Sequence, residues 1–121
     1  MNKLTAKEEE IMRLFWSHGD MFIQDLRRHM KSPKPHYNTV ATQVGLLEEK
    51  GFLIREKFAN AFRYHATISE KDYADTAISN MVSQFYNNSY ISVVSHFVEE
   101  EKMDIEELKA LIAGIENKYR R

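Results

Sequence analysis

Apolar positions recur at helical spacing over most of the chain and give way once, near its middle, to strand-like alternation. Thr5-Ala6-Lys7-Glu8 reads as a capping box, in which the Thr5 hydroxyl takes an orphan amide and Glu8 reaches back. The helix it starts runs to about Ser17, with Ile11, Leu14 and Phe15 inward and Met12 and Trp16 beside them; His18-Gly19-Asp20 ends it. Met21-Phe22 reads as a short extended piece. A second, short helix is expected over 23–30, with Ile23 and Leu26 inward. Lys31-Ser32-Pro33-Lys34-Pro35 is a turn, because neither proline suits a helix interior.

The third helix is the clearest. Val40, Val44 and Leu47 fall at i, i+4 and i+7 and form one apolar stripe. Lys50 suits the negative end of the helix dipole, and Gly51 can take the left-handed conformation that stops the helix. Then come two strand-like runs, Phe52 to Lys57 and Phe62 to Ala66. Phe58-Ala59-Asn60-Ala61 joins them, and Asn60 is the residue expected to tolerate the turn. Ser69 caps a fourth helix, in which Ala74, Ile78, Met81 and Phe85 share a side; Asn87-Asn88 breaks it. A fifth helix over about 89–100 carries Tyr90, Val94, Phe97 and Val98 on one side. Asp104-Ile105-Glu106-Glu107 reads as a capping box opening a sixth, lined by Ile105, Leu108, Leu111, Ile112, Ile115 and Tyr119.

Three helices followed by a β-hairpin make a winged helix-turn-helix, and three more helices follow it; the fold class is mainly α. Residues 1–68 would be the winged domain and 69–121 a helical dimerisation region. The third helix occupies the position of a DNA reader. Opposite its apolar stripe lie Asn38, Ala41, Thr42 and Gly45, small or uncharged residues that allow close approach to a major groove. Asn38, Ala41, Thr42 and Gln43 are expected to face bases. Tyr37 at the helix start belongs to the same surface, and Thr39, Arg27, Arg28 and Lys34 are expected to hold phosphates. Arg55, Lys57 and Arg63 lie on the hairpin and Asn60 near its tip, where phosphates or a minor groove come within reach.

Charge changes this picture only modestly. The 121 residues carry a net charge of −1, but residues 1–68 hold 11 Lys and Arg against 8 Asp and Glu, and residues 69–121 hold 6 against 10. Any nucleic-acid contact therefore belongs to the front half. There is no cysteine, which excludes disulfides and thiolate metal sites. No apolar run is long enough to cross a membrane, and the opening Met1-Asn2-Lys3-Leu4-Thr5 has no signal-peptide hydrophobic region, so a cytoplasmic location without membrane insertion is expected. The five histidines form no ligand spacing, Ser95-His96 is no catalytic pair, and the four glycines form no phosphate loop. No enzyme activity, metal or cofactor is expected.

The last three helices hold more apolar surface than about fifty residues bury alone. Pairing with a second copy would cover it, through Ile78, Met81, Phe85, Val94, Phe97, Leu108, Leu111, Ile112 and Ile115. The two recognition helices would then form a symmetric pair reading half-sites at least roughly 10 base pairs apart.

In order and spacing, these residues resemble the BlaI/MecI (penicillinase-repressor) family of bacterial transcriptional repressors. The resemblance rests on Leu4-Thr5 through Leu14-Phe15-Trp16, Asn38-Thr39-Val40-Ala41-Thr42 with its Thr-x-x-Thr, Leu47-Glu48-Glu49-Lys50-Gly51, Phe62-Arg63-Tyr64, and residues 69–73. It implies a homodimeric repressor of a palindromic operator, controlling β-lactam resistance-type genes and its own operon, with Thr39 and Thr42 touching DNA. It also implies a membrane-bound sensor protease as partner. The bond matching the family's Asn-Phe cleavage site is His96-Phe97, where Phe is kept and Asn is not. The copper-sensing branch of the family uses C-terminal cysteines, which this chain lacks. The near-neutral charge and the absence of Arg from the exposed side of the third helix motivate a second expectation, a winged-helix protein–protein adaptor that binds no specific DNA.

Overall fold

The structure, a computed structural model, describes residues 3–119. The elements run α1 (Ala6–His18), β1 (Met21–Phe22), α2 (Ile23–Arg28), α3 (Tyr37–Glu49), β2 (Leu53–Phe58), β3 (Ala61–Ala66), α4 (Glu70–Phe85), α5 (Tyr90–Glu99) and α6 (Ile105–Tyr119). This is the expected mainly helical, winged arrangement. The chain divides into two compact units, Met1–Thr76 and Ala77–Arg121, and the boundary falls within α4.

In the first unit the local signals act as their chemistry requires. Thr5 and Glu8 form the capping box of α1 in both directions. Gly19 and Gly51 adopt positive φ, at +83° and +85°, and end α1 and α3. The core takes Ile11, Met12 and Phe15 from α1, Leu26 from α2, Val40, Val44 and Leu47 from α3, Phe52 from the turn before β2, and Leu53 and Tyr64 from the sheet. The sheet is antiparallel in the order β1-β3-β2. Met21-Phe22 thus becomes a third strand by pairing with Tyr64 and Arg63.

Two local expectations are corrected. The second helix ends at Arg28 and does not run to Met30: the His29 and Met30 amides turn back to the Leu26 and Arg27 carbonyls, both at 3.1 Å, and Met30 drops into the core. At the hairpin tip the residue in the left-handed region is Ala59, φ +52°, rather than Asn60. A two-residue hairpin loop demands positive φ at its first central position whatever residue the sequence supplies.

In the second unit, Asn87 and Asn88 both have positive φ and break the helix between α4 and α5. The Ser89 hydroxyl accepts from the Ser92 amide and caps α5. Asp104 accepts from the Glu106 amide at the start of α6. Val82 is the buried residue of α4, whereas Ile78, Met81 and Phe85 are exposed.

Candidate nucleic-acid interface

The α2–turn–α3 segment is braced from within. The Arg27 Nε donates to the Pro35 carbonyl at 3.1 Å and its Nη1 to the Gln24 side chain. The Lys34 ammonium donates to the carbonyls of Arg27 (3.0 Å) and Arg28 (2.7 Å), neutralising the negative end of α2. Arg27 and Lys34, expected to hold phosphates, thus fix the turn that aims α3. Arg28 is exposed and forms an ion pair with Asp25 at 2.8 Å.

The start of α3 is open. Its N-cap, His36, makes no side-chain capping bond and no acidic residue occupies the first turn. The first amides of α3 are therefore free to meet an anion. Tyr37, Asn38, Thr39 and Thr42 are exposed. Ala41 is half-buried against the core. Gln43 lies off the exposed face, between the Thr39 row and the buried stripe, and its Oε1 is enclosed without a hydrogen-bond partner. The opposite end of α3 is anchored: the Lys50 ammonium sits 2.6 Å from the Glu8 carboxylate, the same oxygen that accepts the Thr5 amide. Burial pushes the Glu8 carboxyl up, but the Lys50 ammonium and the Thr5 amide outweigh it and hold Glu8 below the usual carboxylate range.

The register of the hairpin sorts its basic residues by face. Arg55 is paired with Tyr64 and Lys57 with Phe62, so these four share the face on which Tyr64 enters the core. Arg63 is paired with Glu56 and with Phe22 on the opposite face. The ring contacts agree: the Arg55 guanidinium lies over Phe62 and that of Arg63 over Phe58, each 4.4 Å from the ring centroid. Arg55 also approaches Glu48 at 3.4 Å and Arg63 approaches Glu56 at 3.9 Å. Lys57 has no ion-pair partner among the described residues. An open groove of about 630 Å³ lies between α2, the first turns of α3 and the wing, and Gln24, Arg28, Tyr37, Ala41, Asn60 and Phe62 are among the residues that line it.

The structure thus gathers Arg28, Tyr37, Asn38, Thr39, Thr42, Lys57 and Asn60 around the exposed side of α3 and the wing, with Arg55 on the same wing face. It sets Arg63 and Gln43 apart. Leu46, which the sequence reading left out, is 44% exposed on α3. Its spacing of seven from Thr39 and four from Thr42, off the Val40-Val44-Leu47 stripe, is the signal that could have found it. Such a surface binds by shape and hydrogen bonding; among the described residues no cluster of His, Asp and Glu is placed to hold a metal.

A profile of the penicillinase repressor family matches residues 4–117. The chain belongs to the penicillinase repressor family. It is similar to the penicillinase repressor of Bacillus licheniformis, 27% identical over 119 residues covering 94% of this chain and 90% of that protein. It is also similar to the methicillin resistance regulatory protein MecI of Staphylococcus aureus (strain N315), 26% identical over 114 residues covering 90% and 89%. Among solved structures, the ligand-free organohalide sensing RdhR-CbdbA1625 transcriptional regulator aligns with a TM-score of 0.47 and 20% identity over 97% of this chain; this chain spans 65% of that one.

The penicillinase repressors are transcriptional regulators and not enzymes. In this family member no helix of the described residues is long and apolar enough to cross a membrane. Of the residues expected at a dimer contact, Ile78, Met81, Phe85, Leu111, Ile112 and Ile115 are exposed, and Val94, Phe97 and Leu108 are half-buried. The His96-Phe97 bond lies inside α5 with both side chains half-buried, so a protease would have to unwind that helix to reach it.

Proposed function

We propose that this penicillinase repressor family member works as a cytoplasmic homodimer. Each copy seats α3 in the major groove of one half of a palindromic operator, and the bound dimer excludes polymerase. The observation that carries this reading is the exposed side of α3, where Asn38, Thr39 and Thr42 are presented without a covering element beside an uncapped helix start. Asn38 and Thr42 would meet bases, and Thr39, Tyr37, Arg28 and Lys57 the backbone. Residues 1–68 serve as the DNA-binding domain.

Residues 69–121 serve as the dimerisation region. That assignment is supported by the apolar surface left open there, with Phe85 76% exposed and Leu111 59%. A second copy would remove it from water, a gain of about 25 cal/mol for each Å² of apolar surface covered. The names of the relatives from Bacillus licheniformis and Staphylococcus aureus support β-lactam resistance-type genes, with the protein's own operon, as the controlled set. A membrane-bound sensor protease acting on α5 is the corresponding route of release.

Fluorescence anisotropy tests the DNA reading. The full chain is titrated against its own upstream DNA and against a scrambled duplex of equal length at two salt concentrations. The expected preference is ~10³-fold or more, with affinity falling steeply as salt rises. Equal weak binding to both duplexes would favour the adaptor reading.

A further inference from the structure

We infer that α3 recognises thymine through its 5-methyl group, and that Leu46 is the residue that makes this contact. The inference rests on the DNA-binding reading above and deepens it by naming what the helix reads.

Thr39, Thr42 and Leu46 stand at i, i+3 and i+7 on α3, which brings them into one row on the helix surface. All three are exposed, on the flank away from the buried Val40-Val44-Leu47 stripe. The row offers few donors. The Thr42 hydroxyl donates its hydrogen to the Asn38 carbonyl at 2.9 Å, so that hydrogen is not available to a base. Gly45 adds no side chain, and apart from its chain neighbours and the adjoining backbone of α3 nothing lies within 4 Å of where its Cβ would be. A base pair can therefore come close to the middle of the helix. At that level the reader is a leucine side chain and a threonine methyl.

The major-groove edges of the bases differ chiefly in hydrogen-bonding groups, and thymine alone carries a methyl group. An isobutyl side chain cannot distinguish donors from acceptors, but it gains from covering that methyl. Asn38, one end of the helix away, fits the same reading, because its carboxamide matches the N6 and N7 edge of adenine. Glu49, the charged residue on the last turn of this side, disfavours close phosphate approach there and leaves Leu46 as the contact at that end.

The test uses the full-length protein and a duplex enriched by repeated selection from a randomised DNA pool. Each thymine of that duplex is replaced in turn by uracil, which removes the 5-methyl group and nothing else. At one or two positions per half-site the replacement is expected to weaken binding about fourfold, the effect of one methyl group returned to water. Leu46→Ala should bind the thymine and uracil forms of one such position equally, while keeping its preference elsewhere. Leu46→Met should keep the penalty. Leu46 is exposed and alanine is a better helix former, so the variant should melt where the wild type does. Uracil penalties within twofold at every position, or an unchanged pattern in Leu46→Ala, would overturn the inference. Failure to enrich any sequence would instead overturn the DNA-binding reading on which it stands.

Discussion

The Glu8 carboxylate is only 4% exposed, yet it closes the capping box of α1 and receives the ammonium at the end of α3. Two elements far apart in sequence are thereby joined at one oxygen. Removing Lys50 would leave a buried carboxylate with no cation. Lys50→Met should therefore cost on the order of 2–3 kcal/mol, below the usual figure for a fully buried pair because part of the Lys50 side chain is in water. The pH dependence should also weaken. In the wild type the Glu8 pKa lies below its ordinary value of 4.5, so the pair's contribution is present above about pH 4.5 and lost as pH falls through the folded value. In Lys50→Met burial of Glu8 is opposed only by its hydrogen bonds with Thr5, so the Glu8 pKa should lie above its wild-type position and acidification should cost the variant less stability than it costs the wild type. Thermal midpoints across pH would show a shallower acid slope in the variant than in the wild type.

At the scale of elements, the wing has two chemically different faces. Arg55 and Lys57 share the side that carries Phe62 and Tyr64 and adjoins the groove beside α3, whereas Arg63 stacks on Phe58 on the other side. Arg55→Ala and Lys57→Ala should each weaken operator binding and reduce the salt slope by about 1, while Arg63→Ala should leave both within twofold. Titrations at several salt concentrations separate these outcomes. The wing also shows what sequence reveals and what it hides. The hairpin and the helix ends were legible, because Thr5 with Glu8, Gly51 and Asn87-Asn88 act on their own neighbours. Three features were not, for they depend on distant partners: the pairing of Met21-Phe22 with β3, the face on which Arg63 falls, and the internal commitment of Arg27 and Lys34. Leu46 was missed for a different reason. A leucine beside an apolar stripe reads as core until its exposure is known.

At the scale of the whole molecule, the two units bury apolar surface to very different extents. The first has a core drawn from three helices and the sheet, while in the second Val82 is the buried hydrophobic residue among those described. This contrast supports a unit that binds and a unit completed by a second copy. On that reading two chains act together on a symmetric site. Sedimentation velocity of the protein with the selected duplex, alongside a duplex in which one half-site is scrambled, addresses it most directly. Two chains per intact duplex are expected, with affinity at least ~10²-fold lower once one half is scrambled, since each mismatched base pair costs about 1–3 kcal/mol. One chain per duplex, or equal affinity for intact and half-scrambled DNA, would contradict it.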